Sequence, residues 1–93
     1  MEVDHADPNL AHLETDRTAT AGHGDAVDRG FRKVMMVIRA AVDERDFYRI
    51  KSLHFEQLKG REPQRSLRIN KQWRVCFRFE AGNAYEVEVV DYH

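Results

Sequence analysis

An alternation of apolar and polar side chains across the last third of the chain constrains the fold more than any other feature. Trp73, Val75, Phe77 and Phe79 alternate with Arg74, Cys76, Arg78 and Glu80; Tyr85, Val87 and Val89 alternate with Glu86, Glu88 and Val90. A period of two sends one set to each side of a strand, so the pattern predicts two half-buried strands joined across Ala81-Gly82-Asn83. Loop length then fixes register, because residues directly opposite must share a face. A two-residue Gly82-Asn83 turn would set Phe79 against Glu86 and mix the faces. A three-residue loop pairs Phe79 with Tyr85, Phe77 with Val87 and Val75 with Val89, which predicts one apolar face. The other face then pairs Arg78 with Glu86, Cys76 with Glu88, Arg74 with Val90 and Gln72 with Tyr92.

A sheet this small cannot close a core alone, so a helix must cover its apolar face. The best candidate spans about residues 25–43, where Val27, Phe31, Val34, Met35, Ile38 and Val42 recur at helical spacing. The Met35-Met36 pair reads as core filling. Gly30 weakens this helix by about 1 kcal/mol relative to alanine. A shorter helix is expected after Pro8, capped by Asp7, with Leu10 and Leu13 inward. Residues 2–5 suggest a first short strand, 46–50 a further helical turn, and Leu53, Phe55 and Leu58 a strand ended by Lys59-Gly60 and Pro63. Leu67 and Ile69 mark another strand. The expected fold is α+β, a single domain over residues 1–93, with two amino-terminal helices on one face of a small twisted, mainly antiparallel sheet.

The 93 residues suffice for one core and no more. A single cysteine, Cys76, excludes an internal disulfide and a cysteine-rich zinc site. The amino terminus is acidic and no apolar run reaches membrane-spanning length, so a cytoplasmic location is expected. The net charge of -1 conceals an asymmetry: residues 51–80 carry eight Lys/Arg against three Asp/Glu, a net of +5. Such a patch suits a polyanion, with RNA the leading candidate.

The uncovered face carries Arg68, Arg74, Arg78 and Tyr92, and the chain closes on Asp91, Tyr92 and His93. Arginine forks match phosphate oxygens, and imidazole, phenol and carboxylate can move or direct protons. RNA can be cut with these groups alone, without metal or cofactor, when the 2′-hydroxyl is deprotonated and the leaving 5′-oxygen protonated. Arg78 opposite Glu86 reads as a cross-strand pair, Trp73 as core, and Cys76 as an apolar filler facing outward. His5, His12 and His23 are expected to face solvent. Asp91 shares parity with Trp73, which fits a role in orienting His93.

From residue 52 onward the chain resembles the HigB-type toxins, the plasmid maintenance killer branch of the RelE superfamily. The resemblance rests on SLHFEQLKG at 52–60, on INKQWRVCFRF at 69–79 and on the closing VDYH at 90–93. It implies a RelE-like fold and a type II toxin that is an mRNA interferase, cutting mRNA in the ribosomal A site. It also implies neutralisation by a HigA-like helix-turn-helix antitoxin, with DNA contacted only through the complex. Carried onto this chain, the implied catalytic set is His93, Tyr92, Asp91, Arg74, Lys59 and His54. Arg68, Lys59, Arg61, Arg65, Lys71 and Arg74 would bind RNA. Two departures stand out. The segment Gly60-Arg61-Glu62-Pro63-Gln64-Arg65 looks one residue shorter than usual and carries arginine where an aromatic is common. Two extra residues separate His54 from Lys59 relative to members with LHPLKG. The alternatives are a catalytically silent module that binds an antitoxin-like repressor, and a protein that binds or cuts RNA without the ribosome.

The position of the closing residues makes a first prediction. Deleting Tyr92 and His93 should reduce RNA cleavage far more than it lowers the midpoint of thermal unfolding, when the two are measured on the same preparation.

Overall fold

The hairpin at the centre of the sheet reaches its register by a route the alternation alone does not reveal. The computed structural model describes residues 1–57, Gly60 and 64–91. Strand β4 spans Trp73–Glu80 and strand β5 spans Asn83–Asp91, so the turn is the two residues Ala81-Gly82. Both have positive φ, 50° and 77°, as a tight turn matched to the right-handed strand twist requires. The predicted three-residue loop is therefore corrected. Phe79 opposes Ala84, and Tyr85 lies opposite Arg78 on the far face, where the guanidinium stacks 5.1 Å from the ring centroid. A β-bulge then restores the phase. Between the pairs Arg78↔Tyr85 and Cys76↔Glu88, strand β4 contributes Phe77 while β5 contributes both Glu86 and Val87. Glu86 takes a left-handed φ of 54° and stays exposed. Beyond it the expected pairs Val75↔Val89, Cys76↔Glu88 and Arg74↔Val90 are all present.

The remaining strands are β1 (Val3–His5), β2 (Glu56–Gln57) and β3 (Gln64–Arg68), giving the order β1-β5-β4-β3-β2. Among the described residues, β1 runs parallel to its neighbour, β5, and the other pairings are antiparallel. Residues 53–55 are not a strand: Lys51–Leu53 form a 3-10 turn and pairing begins at Glu56. Leu58 lies outside the described residues.

Among the described residues, three helices cover one face: α1 (Pro8–Thr15), α2 (Asp25–Ala40) and α3 (Arg45–Tyr48). Asp7 caps α1 by accepting from the Asn9 N–H at 2.9 Å, and Pro8 enters the first turn, where its missing donor costs nothing. Phe31, Met35 and Ile38 of α2 are fully buried, against Leu67, Val75, Phe77 and Val87 of the sheet and Phe47 of α3. The core thus sits between the sheet and one helical layer, giving an α+β architecture in which the short α3 falls where a further helical turn is expected at 46–50.

Helix α2 ends earlier than its apolar stripe predicts. Ala41 is extended, the Val42 N–H donates to the Asp46 carboxylate at 2.7 Å, and Asp43 accepts from the Arg45 N–H at 2.8 Å. These side-chain acceptors compete with helical hydrogen bonds and begin α3 instead. Val42 is consequently exposed, at 84%; Met36 lies on the outer face of α2, 73% exposed, so only Met35 of the methionine pair fills the core. Gly30 has a packing reason: a Cβ there would lie 2.5 Å from the Ile69 methyl, so α2 approaches the end of β3 closely. Cys76 is buried rather than outward-exposed, and two histidines expected in solvent are not there. His5 bonds Glu14 at 2.8 Å with only 6% of its side chain exposed, and His23 packs edge-on to Trp73 at 5.0 Å. Trp73 itself is half-buried rather than core.

Glu14 joins α1 to α2 and β1. The Arg39 guanidinium donates to it, which holds the carboxyl below its ordinary 4.5 against the opposing effect of burial; His5 lowers it further. A carboxyl depressed in the folded state binds fewer protons there than in the unfolded chain. Its stabilisation is complete above about pH 4.5 and is lost as pH falls through the lower folded value. Unfolding free energy should therefore decline with acidification below that pH, and Glu14→Gln should flatten the decline. Denaturant titrations of parent and variant between pH 3 and 7 measure it.

Candidate functional site

One end of the sheet gathers five of the residues expected to handle RNA. The sheet face away from the helices carries Ser66 and Arg68 of β3, opposite Cys76 and Arg74 of β4. At the edge, the chain leaves the helical layer at Leu53 and turns onto this face at His54. His54 does so with φ 44° and ψ 56°, a left-handed conformation that few residues other than glycine adopt. Non-glycine residues held there cluster at functional sites, since surrounding contacts must enforce the geometry.

Arg74 enforces it. Its guanidinium donates to the His54 backbone carbonyl, to Ser66 Oγ at 2.9 Å and toward Ser66 O at 3.5 Å. Glu56 lies 4.0 Å away, and only 8% of Arg74 is exposed. Arg74 is thus a buried cross-brace between β3, β4 and the His54 turn, where an open arginine is expected from alternation. Ser66 and Glu56 are the residues that sequence reasoning missed. Ser66 was identifiable in principle from its parity with Cys76 once the β3–β4 register is known, whereas Glu56 depends on the short edge strand.

The freer cation is Arg68. It sits directly across from Arg74, is half-buried, and donates from NH1 to His54 Nε2 at 3.2 Å and from Nε to the Asn70 carbonyl at 3.0 Å. A guanidinium has no acceptor, so the imidazole receives this bond through its Nε2 lone pair. The β3–β4 turn that follows is organised by Asn70, whose Oδ1 accepts the N–H groups of Gln72 and Trp73, both at 2.9 Å. Lys71 is exposed in that turn. Strand β5 reaches the same end: Asp91 lies opposite Trp73, on the face its parity predicts, and accepts from Gln72 Nε2 at 3.1 Å. His23 stands behind Trp73. His54, Arg68, Lys71, Arg74 and Asp91 therefore come to one end of the sheet.

Arg65 does not join them. It projects to the helical side, 2.9 Å from Glu44 and over the Phe79 ring, with 9% exposed. Arg78 lies further along the site face and is engaged by Glu80, Glu86 and Tyr85; the Glu80 carboxylate chiefly raises its pKa. Lys59, Arg61, Tyr92 and His93 lie outside the described residues.

A five-stranded sheet with helices on one face and a basic, histidine-bearing end defines a RelE-like protein in architecture. The family assignment agrees: the model for HigB-like toxins, RelE-like toxins of type II toxin-antitoxin systems, matches residues 7–93, and the chain belongs to that family. A comparison with curated proteins returns no match. Membership makes the chain the toxin of a type II pair, a class that implies an antitoxin partner. No helix among the described residues is long and apolar enough to cross a membrane.

The two arginines should separate in their effects. Arg74→Ala strands Ser66 and the His54 carbonyl and should lower unfolding free energy by about 2–4 kcal/mol, the scale of lost hydrogen bonds to a buried charge. Arg68→Ala should change it by under about 1 kcal/mol, because it also relieves like charges facing each other. Urea denaturation of both variants tests the difference.

Proposed function

We propose that the chain is an mRNA interferase, cutting mRNA on the ribosome by acid-base attack of the 2′-hydroxyl without metal. The observation that carries this reading is the facing pair Arg68 and Arg74 beside the left-handed His54. Like charges directly opposite in a sheet are unfavourable, and nothing in the core requires Arg68. A bound phosphate turns that cost into attraction, and more so as the phosphorane gains charge in the transition state.

The roles divide by burial. Arg74 holds the His54 backbone and lends its charge from beneath. Arg68 presents its guanidinium to a phosphate oxygen and can shift from His54 Nε2 to do so. His54, released, accepts or returns a proton at Nε2. Asp91 is fixed by Gln72 at the end of β5, immediately before Tyr92 and His93 in the sequence, and these two are assigned proton transfer and substrate orientation. Lys59 and Lys71 add positive charge along the RNA path, and Arg61 extends it. Arg65, tied to Glu44 on the other side, is assigned no RNA contact. The antitoxin expected for the pair is a HigA-like helix-turn-helix protein, and the site of action is the cytoplasm.

A reconstituted translation assay with a defined codon in the A site tests the proposal. The parent should cut there and leave the same RNA intact without ribosomes. His93→Ala and Arg68→Ala should slow cutting by about a hundredfold or more, the scale for a lost proton-transfer group or charge-stabilising donor. Cleavage by both variants at the parent rate would sink the site assignment. Cleavage of free RNA would sink the ribosome requirement, and a parent inert in both settings would leave the silent binding module.

A further inference from the structure

A relay of aromatic rings leads from the core to the surface beside His54. Ring centroids lie 6.0 Å apart between Phe77 and Phe47, 5.2 Å between Phe47 and Phe55, and 4.9 Å between Phe55 and Tyr48. Phe77 and Phe47 are buried and Phe55 is half-buried. Tyr48 ends the relay 58% exposed, the one exposed phenylalanine, tyrosine or tryptophan among the described residues. The planes of Tyr48 and Phe55 meet at 83°, so Phe55 can cover at most one face of the phenol ring. A ring braced on the core and open on a face gives up little freedom when a flat partner lies on it.

We propose that Tyr48 is a stacking platform for a nucleobase of the mRNA beside the cut. The proposal rests on the cleavage reading and adds to it a binding site on the helical side of the sheet edge. Position is the first argument. Phe55 follows His54 directly, and β2 begins at Glu56, opposite the Ser66 that holds Arg74. Strand β2 is an edge of the sheet, so a strand of RNA with one phosphate at Arg68 leaves the site over that edge, past Phe55 and Tyr48. Charge is the second. Residues 45–51 carry Arg45, Arg49 and Lys51 against Asp46, a net of +2, and all three cations are exposed. Cations beside an open aromatic face hold the phosphate that joins one base to the next, while the ring takes the base. The ring has no other task in the fold, since Phe47 and Phe55 already close the core beneath it. An mRNA base is favoured over one of ribosomal RNA because the relay touches the chain one residue from His54. Stacking tolerates every base but grows with ring area, so a purine at that nucleotide should be cut in preference to a pyrimidine.

Two measurements on ribosomes programmed with a defined mRNA test this. In the first, Tyr48→Leu keeps apolar bulk and removes the ring. It should raise KM for cleavage by about fivefold or more, the scale of one lost base–aromatic stack, and leave kcat within about twofold. Tyr48→Phe keeps the ring and should match the parent in both, and all three proteins should share one circular dichroism spectrum. In the second, 2-aminopurine replaces each nucleotide in and beside the A-site codon in turn, with 2′-deoxyribose in the codon to prevent cutting. Stacking quenches its fluorescence, so the parent and Tyr48→Phe should quench it at one position and Tyr48→Leu should not. Parental KM for Tyr48→Leu overturns the proposal. A raised KM with no responding mRNA position overturns it in favour of a base of ribosomal RNA. Should Tyr48→Leu unfold, quenching by the parent and Tyr48→Phe decides alone, and its absence overturns the proposal. A parent that quenches without cutting keeps the platform and sinks the cleavage reading, whereas one that neither quenches nor cuts sinks both.

Discussion

The bulge at Glu86 is the constraint on which the rest of the sheet depends. Ala81-Gly82 starts β5 with Ala84 opposite Phe79. Continued without interruption, that register would set Glu86 against Phe77 and Glu88 against Val75, turning two carboxylates into the core. Burying unpaired carboxylates is far costlier than one non-glycine residue in the left-handed region, which costs on the order of 1–3 kcal/mol. The chain therefore accepts the strained φ at Glu86, and Val87 and Val89 return to the helical side. The parallel partner β1 registers the same event, since its own pairing with β5 slips between Val3↔Ala84 and His5↔Val87.

What the bulge preserves in the core, it also delivers to the site. Because the phase is restored before Glu88, Asp91 arrives opposite Trp73 and beside the β3–β4 turn, within reach of Gln72. The Arg74 face of β4 then runs unbroken from Cys76 to the turn. Arg74 converts that face from an open surface into a braced one. Its bonds to Ser66 and the His54 carbonyl tie an edge segment with little pairing of its own, Glu56–Gln57, to the central strands. A weakly paired edge would otherwise open readily.

Much of this was legible in the sequence. The period of two, the helical stripe of α2, the Asp7 cap and the distal β4–β5 pairs all follow from side-chain patterns acting over short distances. So does the placement of Arg68 and Arg74 on one face away from the helices. What stayed hidden depends on contacts distant in sequence or on local backbone strain. Nothing in Ala81 or Glu86 signals a positive φ, since neither is a residue that favours it. The break after Ala40 turns on Asp46 reaching back to Val42. The burial of Arg74 depends on His54, twenty positions away, and the burial of His5 on Glu14, which Arg39 in turn holds from twenty-five positions further on. Arg65 shows the limit most clearly. It belongs to the basic segment by composition, yet alternation alone puts it on the helical side with Leu67, and Glu44 settles it there.

Two surfaces among the described residues differ in kind, and the difference follows from the layering. A sheet covered by helices on one side presents backbone-anchored side chains on the other, where a guanidinium can be held at a fixed place by its neighbours. Arg68 and Arg74 face each other there, and their repulsion is a cost the fold does not need for its own stability. On the outside of the helices, Met36 of α2, Val42 beyond its early end and Ile50 after α3 stand in water, a cost of the opposite type, in apolar area rather than charge. Locally unfavourable arrangements that core packing does not require are expected where a ligand completes them.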